Sequence, residues 1–156
     1  MEQKMIQNRF FQVAEVELIY KSKVKASLRP KITSSKDAFR IFRDSWDENK
    51  IGLCEQFKVM LLNRANKVLG IYETSTGGIT GTVADPRLVF ALALKAGAVS
   101  LILAHNHPSD NLEPSKADEE LTHKMSEAGK FLDIKVLDHL IITEEAYYSF
   151  ADSGLL

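Results

Sequence analysis

Cysteine is almost missing from this chain of 156 residues, which carries Cys54 alone. One thiol cannot close an internal disulfide, so no disulfide framework holds the fold and a reducing compartment is expected. An excess of one charge is missing as well: 20 basic residues face 21 acidic ones, for a net charge of −1. That balance gives no broad electrostatic footprint for nucleic acid. No apolar run approaches membrane-spanning length, and the opening MEQKMIQNRF does not read as a signal peptide. A cytoplasmic protein is the expectation. Repeats, low-complexity tracts and linkers are absent too. What is present is ordinary for a globular domain: 45% hydrophobic and 26% charged residues, in a chain long enough for a substantial core.

Residues 1–33 read as an N-terminal extension with one strand at 13–20, where Val13, Glu15, Glu17 and Ile19 oppose Ala14, Val16, Leu18 and Tyr20. The basic stretch that follows, Lys21 to Lys31, reads as a solvated connection. Residues 34–156 form the domain proper. Ser34 caps a helix that runs to about Trp46, with Ala38, Ile41, Phe42 and Trp46 on one face. Strands are expected at 55–63 and 67–74 as a hairpin, and a short one at 79–83 after Gly77-Gly78. Asp85 and Pro86 open a helix over 87–96 that stops at Gly97. Its apolar residues lie on nearly every side, which implies burial against the sheet and against a further surface such as another subunit. Residues 99–104 are continuously apolar, the mark of a central strand covered on both faces. A helix over 116–128 closed by Gly129, a strand at 134–143 and an edge at 147–151 complete the chain. Strands and helices alternate, so the fold class is a layered α/β domain, a mixed β-sheet flanked by helices.

The chemistry concentrates in residues 101–118, LILAHNHPSDNLEPSKAD. In extended backbone His105 and His107 share one side while Asn106 faces the other. Pro108 keeps His107 extended. The turn formers Pro108, Asp110, Asn111 and Pro114 let the chain bring Asp118 back to the same point. Two imidazoles and a carboxylate with one open position make the layout of catalytic rather than structural zinc. Ser115 and Asp118 also have the spacing of a capping box, which would orient both towards the loop. A proton acceptor should sit on a neighbouring strand. Glu55, at the head of EQFKVMLLN, is out of character beside Phe57, Val59 and Leu61, but spacing alone weighs it evenly against an exposed strand-end glutamate. His123 reads as solvent-facing, His139 as a satisfied core histidine with Asp138 as partner, and Cys54 as having no role. Neither a deaminase H-x-E with P-C-x-x-C nor an H-E-x-x-H helix is present.

His105-x-His107, seven residues, Ser115, two residues and Asp118, with a strand glutamate upstream, resembles the JAMM signature of JAB/MPN metalloproteases. AHNHPSDNLEPSKADEELTHKMSEAGKFLDIKVLDHLII is similar to the RadC group of that superfamily, and the likeness extends from about Ser34 to Phe150. The resemblance implies a cytidine-deaminase-like fold and bound Zn²⁺ held by His105, His107 and Asp118. It implies Glu55 as general base and then acid, and Ser115 as hydrogen-bond donor to the oxyanion. Asp110 departs from the family, where glycine is common; both suit a turn. The helix-hairpin-helix segment of longer RadC proteins is not found in this sequence, which weighs against direct DNA binding.

Two functions are therefore in view. One is a zinc-dependent hydrolase of peptide or isopeptide bonds, acting on a peptide or protein. The other is a non-catalytic scaffold of DNA repair or a mobile element, with a structural or vestigial metal. An intact Glu55, His105, His107, Ser115 and Asp118 set favours the first, because a scaffold has no need of Glu55.

Overall fold

The computed structural model describes residues 14, 16–17, 19–77 and 84–156. Their strands form one five-stranded mixed sheet in the order β2-β1-β3-β4-β5. The strands are β1 (Gln56–Leu62), β2 (Val68–Thr76), β3 (Ser100–Asn106), β4 (Lys135–Ile142) and β5 (Tyr147–Ser149). β3 and β4 run parallel, and the other neighbours pair antiparallel. The helices are α1 (Ser35–Ser45), α2 (Pro86–Ala96) and α3 (Lys116–Phe131). A parallel pair needs a crossover, and α3 supplies it between β3 and β4.

Alternation along the strands builds a core on each face of the sheet. Phe57, Val59, Leu61, Leu101 and Leu103 pack with Val89, Phe90 and Ala93 of α2 and Met125 of α3. Met60, Leu62, Ile102 and Ala104 face the other way, onto Ala38 and Phe42 of α1 and Trp46 beyond it. All seven residues of β3 are buried. Helices on both faces explain why that strand reads as an unbroken apolar run. On α2, Leu88 and Leu94 are exposed in the single chain, so only one face of that apolar helix meets the sheet.

Local chemistry sets most of the ends. Ser34 Oγ accepts from Asp37 N–H to start α1. Asp85 caps α2 ahead of Pro86, and Gly97 ends it in the left-handed region at φ 69°. α3 departs from expectation: it runs through Gly129 to Phe131. The glycine is required by close approach rather than by a stop, since a Cβ there would lie 2.3 Å from the Ile134 carbonyl oxygen. Ile134 N–H also donates to Gly129 O at 2.9 Å, so the two backbones cannot part without breaking that bond. Gly129→Ala should therefore cost about 1–3 kcal/mol in a urea unfolding titration. Unchanged stability would mean the 132–134 turn moves aside freely.

The strand expected at 79–83 lies outside the described residues, as do Val13, Glu15 and Leu18 of the one expected at 13–20. The described residues of that second segment form no strand, and Val16 is 91% exposed. Instead Tyr20 Oη donates to Leu69 O of β2 at 2.7 Å, Lys31 bridges Lys67, and Ile32 enters the α1 core.

Candidate metal centre

β3 ends at the site. His105 is buried on the α2/α3 face, stacked near-parallel to Phe57 at 6.0 Å, while His107 leaves the strand with its backbone N–H still bonded to Ile142 O. Their Nε2 atoms are 3.0 Å apart. His107 Nδ1 lies 2.6 Å from Asn111 O, a carbonyl that can only accept, so Nδ1 carries the hydrogen. The turn that brings Asn111 back is built on Asp110, at φ 61°, with its N–H bonded to His107 O. A left-handed residue at that position is easiest for glycine; aspartate tolerates the conformation better than most.

The same loop delivers the carboxylate. Ser115 caps α3 and forms a full capping box with Asp118: Oγ accepts from Asp118 N–H, and Ser115 N–H donates to Asp118 Oδ2 at 2.8 Å. This holds Asp118 Oδ1 3.2 Å from His105 Nε2 and Oδ2 3.6 Å from His107 Nε2. The cap and the site share one carboxylate without conflict, as the sequence suggested.

Glu55 reaches the centre from the position just before β1. Phe57 pairs with His105 across the β1–β3 ladder, so continuing the register sets Glu55 opposite His107. Glu55, His105 and His107 offer ligand atoms that all lie within 4.8 Å of one another, a group able to hold a metal ion. Asn106 fixes this approach from the opposite face of β3. Its fully buried amide donates to Ile51 O and Cys54 O at 2.7 and 2.9 Å and accepts from Gln56 N–H at 2.7 Å. The backbone on both sides of Glu55 is thereby tied to the histidine strand. That role for Asn106 escaped the sequence reading, which only turned it away from the ligands.

Electrostatics favour a cation here. Two ring nitrogens and two carboxylates converge at partly buried positions, and such a set favours positive charge at its centre. Without metal a proton serves. The Asp118 carboxylate, helped by the Asn111 carbonyl, holds His107 above its ordinary value against the opposing effect of burial. Burial pushes Asp118 up, but its interactions with the His105 and His107 rings and with the Ser115 backbone outweigh it and leave the carboxyl far below the usual range. The raised His107 adds stability that is complete below its ordinary value near 6.5 and is lost as pH rises through the higher folded value. The lowered Asp118 adds stability present above its ordinary 3.8 and lost only in strong acid. Chelator-treated protein should therefore lose melting temperature as pH rises above about 6.5. Metal-loaded protein should gain instead, because metal and proton compete for the same nitrogen. Paired thermal melts across that range check both slopes; a flat metal-free profile would contradict the His107–Asp118 pairing.

His139 is fully buried, as a core histidine should be, but its ring partners are not the expected ones. Asp138 accepts from the His139 backbone N–H and turns its side chain to Ser149 and Ala151. The ring instead contacts His105 and Thr122. Burial pushes its pKa well below the ordinary range, so the imidazole is neutral. His123 is exposed on α3.

The model of the RadC-like JAB domain family matches residues 32–155. A UPF0758 protein of Flavobacterium johnsoniae is 51% identical over 144 residues, covering 92% of this chain and 62% of the relative. A UPF0758 protein of Trichlorobacter lovleyi is 40% identical over 126 residues, 81% of this chain and 54% of the relative. A third, from Symbiobacterium thermophilum, is 44% identical over 102 residues, 65% of this chain and 44% of its own length. The chain thus spans less than two thirds of these relatives. No helix among the described residues is long and apolar enough to cross a membrane. With a mixed sheet that carries His105 and His107 at the end of its central strand and a family model that covers most of the residues, the chain belongs to the RadC-like JAB family.

Proposed function

We propose that this protein is a zinc-dependent hydrolase of peptide or isopeptide bonds. The observation that carries the reading is the placement of two carboxylates on separate supports around one pair of imidazole nitrogens. A purely structural site needs ligands; it does not need a second carboxylate delivered by another strand.

Asp118 is the ligand of the two. Its two oxygens lie 3.2 and 3.6 Å from the Nε2 atoms of His105 and His107, and its orientation is set by the α3 cap. His105, His107 and Asp118 form a mixed nitrogen and oxygen set suited to zinc, with room for a fourth partner. When bound, the ion would lower the pKa of a water to roughly 7 and polarise a carbonyl. Glu55 takes the proton of the attacking water and delivers it to the leaving amine. Ser115 Oγ spends its lone pair on the Asp118 N–H, which leaves its own hydrogen to donate to the oxygen of the tetrahedral intermediate. Acid, base and oxyanion donor are the three roles that amide cleavage requires.

The test is metal analysis of the purified protein with a peptide-library cleavage assay, run with and without chelator. Cleavage that disappears with chelator and returns with Zn²⁺ is expected. Bound zinc with no cleavage of any amide or isopeptide substrate would favour the scaffold role.

A further inference from the structure

The site has a buried support that the hydrolytic reading does not use. His139, on β4, fills the space behind His105 with its ring stacked on Phe150 (centroids 4.9 Å apart, 13° between planes) and tilted against Phe57. His139 reaches this position through a slip in the β3–β4 ladder. Leu101 pairs with Val136 but Ile102 pairs with Asp138, so one extra residue enters β4. That bulge carries His139 to the face on which Val136 packs, where strict alternation would have opposed them.

The hydrogen bonds run in one direction. Thr122 Oγ1 lies 2.6 Å from Asp118 O and 2.6 Å from His139 Nδ1. A carbonyl accepts only, so the single Thr122 proton is on the first bond and the hydroxyl accepts on the second. His139 Nδ1 therefore bears hydrogen, which leaves Nε2 bare in the neutral ring. That nitrogen is 2.8 Å from His105 Nδ1 and takes the hydrogen bond from it. His105 Nε2 is left with an open lone pair, aimed at His107 and Asp118.

We propose that Thr122 and His139 are positioning residues that lock His105 in the tautomer able to bind metal through Nε2. The relay is anchored on the main chain of Asp118, whose side chain faces the same centre, so one residue sets both the carboxylate and the tautomer. A threonine and a histidine that merely satisfied each other would not care which His105 nitrogen bore hydrogen. The link to metal affinity rests on the proposed zinc site; the tautomer itself is a property of the metal-free protein.

The experiment has two arms. Long-range ¹H–¹⁵N spectra of the histidine side chains, taken on chelated protein at pH 8, read the tautomer directly. Wild type should show hydrogen on His105 Nδ1, and Thr122→Val should move it towards Nε2, with Thr122→Ser restoring the wild-type pattern. Competition with a chromophoric chelator reads zinc affinity, which should fall about 10–100-fold in Thr122→Val and recover in Thr122→Ser. Hydrogen on His105 Nε2 in the wild type would overturn the proposal without any variant. So would a Thr122→Val spectrum identical to the wild type. If the tautomer switches but no form of the protein binds zinc, the relay stands and the metal reading fails.

Discussion

Glu55→Gln should bind zinc as the wild type does and cleave its substrate about 10²–10⁴-fold more slowly, the usual contribution of a positioned general base. The substitution keeps size and hydrogen-bonding shape but removes the ability to take a proton. Asn106 holds the backbone on both sides of position 55, so the variant side chain should occupy the same place. The comparison to make is kcat/KM on a substrate found for the wild type, with metal content measured on the same preparations. The result also separates the two carboxylates. If zinc is lost with activity, Glu55 is a ligand, as its grouping with His105 and His107 would allow. If the variant performs every cellular function of the wild type, catalysis is not what the protein does, and the scaffold role wins.

His107→Ala should lose metal and hydrolysis together. His105 Nε2 and Asp118 alone leave two protein ligands, fewer than the three of catalytic zinc sites. The clearest readout is thermal. An ion at one hundred times its dissociation constant stabilises the folded state by about 2.7 kcal/mol. For a domain of this size each kcal/mol is worth roughly 2–4 °C, so zinc should raise the wild-type melting temperature by about 5–10 °C and leave His107→Ala unmoved. The variant should also lose the pH slope of the metal-free protein, since the pair with Asp118 is gone. A His107→Ala protein that still gains stability from zinc and still cleaves would remove His107 from the centre.

Much of this could be read from residue order because it depends on the chain's own short-range geometry. Side chains alternate in a strand, which put His105 and His107 together and Asn106 away. A cap joins residues three apart, which tied Ser115 to Asp118 through bonds the structure repeats. The covered strand β3 announced itself by an unbroken apolar run, and Asp85-Pro86 and Gly97 marked both ends of α2.

Where the sequence misled, contacts between distant segments decided. Gly129 looked like a helix stop, yet it serves the close passage of the Ile134 backbone. His139 looked like a residue paired with its neighbour Asp138, yet its ring meets His105, 34 positions away, and Thr122, 17 away. Glu55 could be weighed only evenly from its spacing; the β1–β3 register is what sets it across from His107. Local rules therefore named the candidate ligands and their immediate supports. Which strands lie side by side, and where a ladder slips by one residue, depends on packing between segments far apart in the chain, and those choices alone placed Glu55 across from His107 and His139 behind His105.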